Sequence, residues 1–311
     1  MPGTRLTDVV EVARHCRTPI WGFGVGGCLS GLVAAGEVLR RPELVEEVAG
    51  RVGGGLTQPA DHLISVETLL ALRGRLPAAG LDAACERWSH AILKAPRPVP
   101  GLPRVHRPDL PEWRDTIWVD CMHTDGPGLA MLGFTDEAVA YAEEYAAALQ
   151  RDDGLFHHGY DVAIGRGNGC AWGRGQGWAL LGLVDTLRLA GDTGLRERLA
   201  RLLETLNRYR RPDGWGTLVD DPDAPVEHSV AGYVALGTAR ALAAGLVDPG
   251  YADLADHAWA CTLRHLDGGA LEVSRATPVG RAEDYRTTPT GVYAWGQAPV
   301  LQGLLERGVR T

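Results

Sequence analysis

Residues 174–209 read RGQGWALLGLVDTLRLAGDTGLRERLARLLETLNRY. The first half is apolar or small nearly all round, as expected of a helix buried on both faces. The second half carries one apolar stripe and one charged face, as expected of an outer helix. A short connection, LAGDTG, joins them. The pair recurs along the chain at a spacing of roughly 50–60 residues, the signature of a repeated supersecondary unit. Inner helices are expected at 21–36, 61–74, 120–132, 174–190, 228–244 and 292–306. Outer helices follow in ELVEEVAGRV, DAACERWSHAIL, AVAYAEEYAAALQ, LRERLARLLETLNRY and YADLADHAWACTLRH. The last inner helix needs an outer partner, and LTDVVEVARHC at the N-terminus supplies one. The reading is all-α: an (α/α)6 barrel of six helical hairpins in one domain over 1–311. An open helical solenoid is the alternative arrangement of the same units.

Composition sets the outer limits. The 311 residues are 45% hydrophobic and 23% charged, which is globular composition without the polar excess of a disordered chain. Net charge is −8, Lys94 is the only lysine, and no basic run occurs, so nucleic acid is not an expected partner. No apolar run reaches the ~18–20 residues of a membrane span. The N-terminal MPGTRLTDVVEVARHC lacks a continuous apolar segment, so no secretory signal is expected. The six cysteines are scattered without a C-x-x-C pair, as reduced thiols of a cytoplasmic protein would be.

Connections from inner to outer helices are short, whereas the returns at roughly 94–117, 150–172, 210–227 and 265–290 are long. Every long return enters the N-terminal end of an inner helix, so all of them gather on one face, where function is expected. Strand signals there are thin: GLFHHGYD and GWGTLV suit short hairpins.

The starts of the inner helices carry the chemistry. They read Trp21-Gly-Phe23, Asp61-His62, Trp118-Val-Asp120, Trp172-Gly-Arg174-Gly-Gln176-Gly-Trp178, Glu227-His228-Ser229 and Tyr293-Ala-Trp295-Gly-Gln297. Aromatic walls with a few carboxylates and amides suit a sugar, rings covering its apolar faces and polar groups taking its hydroxyls. Helix N-termini add positive dipole ends, and Arg174 a formal charge, so an anionic sugar such as a uronic acid fits best. Asp61 and Asp120 stand where an N-cap is also a common role. Trp and Val directly before Asp120 suggest a half-buried carboxyl, the environment of a general acid. Arg174 suits a bidentate carboxylate contact and Trp178 a stacking contact, with tight helix packing and a structural ion pair as the competing reading. Glu227 and Ser229 open a helix, where capping competes with a ligand role. His157 and His158 stand side by side in a loop, a surface placement more often than a binding one. Gly22-x-Gly24-x-x-Gly27 matches a dinucleotide fingerprint by letter, but no strand precedes it, so that reading is rejected.

These motifs resemble those of the unsaturated glucuronyl and rhamnogalacturonyl hydrolases, glycoside hydrolase families 88 and 105. The resembling pieces are Trp21-Gly-Phe-Gly, Ala60-Asp61-His62, Trp118-Val-Asp120, Leu155-Phe-His-His158-Gly-Tyr-Asp161, Trp172-Gly-Arg-Gly-Gln-Gly-Trp178, Glu227-His-Ser229 and the Gly-Gln pair at 296–297. They stand in family order over about residues 20–305. The resemblance implies a six-hairpin barrel and an enzyme that removes the Δ4,5-unsaturated uronic acid left by polysaccharide lyases at a non-reducing end. The vinyl ether is hydrated, and the anomeric carbon is not attacked. On this resemblance Asp120 is the catalytic acid/base and Asp61 the second catalytic carboxylate. Trp21, His158, Trp172, Arg174, Gln176, Trp178, Glu227 and Ser229 are the candidate substrate-binding residues. No metal or organic cofactor is implied, and the expected partner is an oligosaccharide with an unsaturated uronic acid end. The chain departs from the family pattern at Cys121, His123 and Thr124. From the residues alone, three other readings stay open: an inverting glycosidase with Asp61 and Asp120 as its acid pair, a helical-barrel sugar epimerase using His158 and His228, and a non-catalytic carbohydrate-binding toroid.

Overall fold

The computed structural model describes residues 5–16, 24–54, 56, 65–105, 111–191 and 194–308. Its first half runs α1 (Leu6–His15), α2 (Val25–Val38), α3 (Pro42–Gly53), α4 (Val66–Ala71), α5 (Ala78–Lys94), the short α6 (Pro111–Arg114), β1 (Thr116–Trp118), α7 (Cys121–Met131), α8 (Thr135–Leu149), β2 (Gly159–Asp161) and β3 (Arg166–Gly167). Its second half runs α9 (Gly173–Ala190), α10 (Leu195–Arg208), α11 (His228–Ala243), α12 (Ala252–Arg264), β4 (Leu266–Asp267), β5 (Ala270–Ser274), α13 (Ala282–Arg286), β6 (Thr290–Val292) and α14 (Ala294–Glu306).

The contrast between α9 and α10 shows how residue pattern becomes layer. Every residue of α9 from Gly173 through Leu187 is buried. Helix α10 buries Leu195, Leu199, Leu202, Leu203 and Leu206, one stripe at helical spacing, and leaves its arginines outside. Each leucine so buried contributes about 1.5–3 kcal/mol. Around the molecule α2, α4, α7, α9, α11 and α14 touch in that order, and α14 packs back on α2. Gln302 on α14 donates to the Gly27 carbonyl of α2 at 2.9 Å across this seam. The ring is closed, which removes the solenoid alternative. Each inner helix carries an outer one, α3, α5, α8, α10 and α12 in turn, and α1 covers α14. Of the second inner helix expected at 61–74, residues 61–64 lie outside the described residues and Val66–Ala71 is helical.

Two small antiparallel sheets occupy the long returns, β1-β2-β3 and β4-β5-β6. Within GLFHHGYD a strand forms, but its partners are β1, forty residues upstream, and β3. GWGTLV forms isolated bridges, among them Trp172 with Leu218, and no strand. All six cysteines are buried and unpaired. Among the described residues no helix is long and apolar enough to cross a membrane.

Candidate active site

The first sheet sets the centre of the site. Trp118 pairs with Gly159, and the Val119 amide donates to the His158 carbonyl at 2.9 Å. That register carries Asp120 and His158, 38 positions apart in sequence, to the same spot at the start of α7. Asp120 occupies the N-cap position of α7, yet its side chain makes no capping hydrogen bond. It is 5% exposed, and its Oδ2 lies 3.3 Å from His158 Nε2. The two atoms are within ion-pair distance but not aligned as a hydrogen bond, and neither has another partner among the described residues. A buried carboxylate oxygen facing a buried imidazole nitrogen is a costly arrangement for a purely structural role. The neighbouring acids are differently placed. Asp125 accepts from the Tyr141 hydroxyl at 2.6 Å, and Asp115 is exposed.

His158 is fully buried in an aromatic cage. Trp172 lies against it at 4.1 Å between centroids, and Trp118 and Tyr285 meet it edge-on at 5.5 Å each. Its sequence neighbour His157 is half-buried and accepts from the Gly169 amide, so the adjacent pair splits into two environments.

Around Trp172 the structure shows what holds Arg174. The guanidinium is fully buried, with Nη1 at 2.9 Å from the Ser274 carbonyl and 3.5 Å from Glu227 Oε1, and Nη2 at 2.9 Å from the Arg275 carbonyl. It lies over the rings of Trp172, Trp295 and Trp178 at 4.6, 5.4 and 5.9 Å. Both terminal nitrogens have protein partners and Nε has none among the described residues, so the ion pair that competes with a uronate contact is present. Burial pushes the Arg174 pKa down, and the Glu227 carboxylate opposes that. Glu227 in turn caps α11 through the Ser229 amide, accepts from the Ser229 hydroxyl, and takes the Ser274 amide at 2.8 Å. Thus Arg174, Glu227 and Ser229 tie α9, α11 and β5 into one knot below the site. Gln176 is equally committed: its carbonyl accepts the Phe156 amide at 2.7 Å, and its NH2 donates to the Phe156 and Trp172 carbonyls. Trp178 is 3% exposed, edge-on to Trp172 and Tyr233, and so a wall of the core. The glycines of this motif serve helix packing. A Cβ on Gly177 would lie 2.5 Å from Tyr233 Cβ, and one on Gly173 would lie 2.4 Å from the Gly216 carbonyl oxygen.

Asp61 and Trp21 lie outside the described residues. Three features escaped the sequence reading. Tyr285 on α13 reaches His158, Asn168 reaches Tyr285 from the loop after β3, and no local pattern marks either of them. Trp113 and Trp118 stack at 4.5 Å with 19° between planes, both half-exposed beside Asp120. The Trp-Val-Asp motif signalled Trp118, but nothing local signalled its partner.

Inside the barrel a cavity of about 350 Å³ runs from helix starts at Gly24, Ser65 and His123 to helix ends at Asp185, Arg240 and Glu306. Asp120 does not line it. Burial pushes Glu67 up to about 7 there, with Asp185 and Glu306 adding to the shift and Arg240 opposing it. Burial also pushes His123 down to about 4. Among the described residues no group of three His, Cys, Asp or Glu is arranged to hold a metal ion.

A closed ring of six helical hairpins with a buried carboxyl at the N-terminal pole defines the class: a six-hairpin α/α barrel of glycosidase type. The chain belongs to Glycosyl Hydrolase Family 88, whose model matches residues 15–310. It is 26% identical over 253 residues to the unsaturated rhamnogalacturonyl hydrolase YesR of Bacillus subtilis, covering 73% of this chain and 70% of that protein. Its fold matches a possible GH105 member from Salmonella enterica serovar Paratyphi A with a TM-score of 0.83, at 21% identity, over 97% of this chain and 93% of the other. It also matches the unsaturated glucuronyl hydrolase of Bacillus sp. GL1, which degrades glycosaminoglycan, with a TM-score of 0.75 at 17% identity, over 97% and 96% of the two chains.

Proposed function

We propose that this chain removes a Δ4,5-unsaturated uronic acid from the non-reducing end of lyase-generated oligosaccharides by hydrating its vinyl ether. The observation that carries the reading is the buried Asp120 Oδ2, facing His158 Nε2 at 3.3 Å and without a hydrogen bond among the described residues. As the acid, Asp120 delivers its proton to C4, and the C4=C5 π electrons form the new C4–H bond. Positive charge develops at C5 and the ring oxygen. The resulting carboxylate takes a proton from water as that water's oxygen bonds to C5, which restores the acid. The hemiketal then opens: C5 becomes a ketone and the ring oxygen stays on C1 as a hydroxyl, leaving a hemiacetal that collapses to a C1 aldehyde as the aglycon leaves with its own oxygen and the hydroxyl proton. Asp61 is the second catalytic carboxylate in this reading, and Trp21 a binding residue. The half-exposed Trp113–Trp118 stack is the platform for the sugar ring.

Support for an anionic sugar comes from the N-terminal ends of the inner helices, whose dipoles favour negative charge, and from the named activity of YesR. The test incubates the chain with Δ4,5-unsaturated disaccharides and with the matching saturated glycosides. Loss of the enoate absorbance in step with release of the second sugar is expected, with the saturated compounds untouched. Turnover of the saturated glycosides instead would overturn the reading in favour of an ordinary inverting glycosidase.

A further inference from the structure

The hydrogen bonds behind His158 fix more than its position. Asn168 Oδ1 faces the Cys170 amide at 3.3 Å, and Asn168 Nδ2 faces the Gly280 carbonyl at 3.1 Å. One of those neighbours only donates and the other only accepts, so the amide has a single orientation. Its NH2 therefore donates to the Tyr285 hydroxyl oxygen, 3.1 Å away. The Gly280 amide donates to the same oxygen at 3.1 Å. Two donors fill the acceptor capacity of the phenol oxygen. The remaining neighbour of that oxygen is His158 Nδ1 at 2.7 Å. The phenol keeps its proton, because burial pushes the Tyr285 pKa well above its ordinary value. The Tyr285 proton has one direction left, toward His158 Nδ1.

We propose that Tyr285 is a positioning residue that holds His158 in the neutral tautomer with Nδ1 bare and the proton on Nε2, the nitrogen on the Asp120 side of the ring. The consequence, which rests on the hydration reading, concerns the acid. An N–H on Nδ1 would meet the Tyr285 oxygen, whose acceptor sites the Asn168 and Gly280 donors take, so Nδ1 stays the accepting nitrogen. With Nε2 the protonated nitrogen, the group standing 3.3 Å from Asp120 Oδ2 is a neutral N–H. The neutral Nε2–H remains a donor that can follow the carboxyl or a sugar hydroxyl through the reaction. The loop bearing α13 thus does chemical work: it carries Tyr285 to the back of the imidazole, where its hydroxyl sets the tautomer as an outer-shell partner does for a ligating histidine.

The test is 15N and 1H NMR of the whole resting chain at pH 7, with 15N in the histidine rings. The His158 signals are identified by their absence in His158→Gln. The proposal expects a one-bond proton coupling on Nε2 and none on Nδ1. In Tyr285→Phe the preference is lost, and the two nitrogens move toward averaged shifts. Asn168→Asp is the second variant. It replaces the donating amide with an accepting oxygen, keeps the Tyr285 ring, and draws the hydroxyl away from His158. Either variant, if folded, should lower kcat about 10–100-fold with KM within about threefold. A wild-type coupling on Nδ1 would overturn the proposal, as would ring shifts unchanged in a folded Tyr285→Phe. The NMR arm needs no substrate, so inactivity toward unsaturated disaccharides would defeat the hydration reading and leave the tautomer result standing on its own.

Discussion

Asp120 and Arg174 differ in how much of their setting the sequence carries. The burial of Asp120 is legible because its setting is local: an acid at a helix start, with Trp118 and Val119 before it. The ion pair of Arg174 is not legible, because its partners are not local. Glu227 lies 53 positions away and the Ser274 carbonyl 100, and a lone sequence shows a cation without showing what already holds it. Two variants test these roles. Asp120→Asn should lower kcat by about 10²–10⁴, since an amide keeps the shape and delivers no proton. Because Asp120 Oδ2 makes no hydrogen bond, stability should change by less than about 1 kcal/mol. An Asp120→Asn enzyme retaining more than about a tenth of its turnover would place the acid elsewhere. Arg174→Met should cost about 3–5 kcal/mol in denaturant unfolding, because it strands the buried Glu227 charge. Adding Glu227→Gln should recover part of that loss. A stable Arg174→Met chain that binds a uronate poorly would restore the clamp reading.

At the scale of elements, helices were legible, and of the strands only the one within GLFHHGYD was. A helix declares itself within its own window through a 3.6-residue period, as α9 and α10 do. The strands span two to five residues, too short for an alternating pattern, and β1 meets β2 only after α7 and α8 intervene. Yet that pairing is what brings His158 to Asp120. The glycines of Trp172–Trp178 were visible, but whether a ligand or a helix approached them was not; Tyr233 gives the answer. Gly177→Ala should therefore lower the melting temperature, although alanine favours an isolated helix by ~1 kcal/mol. Forcing a methyl group to 2.5 Å from Tyr233 Cβ costs more, about 1–3 kcal/mol for an overpacked core. A rise in melting temperature would mean that α9 and α11 have room to part.

Across the whole molecule the count of six hairpins was legible from the repeat, and closure followed from finding α1 to cover α14. The interior chemistry of the barrel was not legible, because it joins side chains from five inner helices. Burial holds Glu67 near 7 and His123 near 4, and the two act on stability with opposite signs. Between its unfolded value of about 4.5 and 7, folded Glu67 keeps a proton that the unfolded chain has released, so its contribution falls as pH rises. Folded His123 refuses a proton that the unfolded chain accepts below about 6.5, so its contribution falls as pH drops toward 4. Glu67→Gln should then stabilise the chain at pH 8 by about 1–3 kcal/mol, the gain shrinking toward pH 4.5. The same variant should lose stability more steeply than the wild type on acidification from pH 7, because His123 acts unopposed. Parallel melting curves at every pH would contradict this description of the cavity.

The central claim is that Asp120 protonates C4 of an unsaturated uronide before any bond to the aglycon breaks. Its most direct test is to run the reaction in D2O with a Δ4,5-unsaturated disaccharide and follow the first-formed product by 1H NMR. The account predicts one deuteron at C4, on a single face, appearing at the rate at which the enoate absorbance falls and the second sugar is released. Release of an intact unsaturated uronic acid, or deuterium spread equally over both C4 positions, would contradict it.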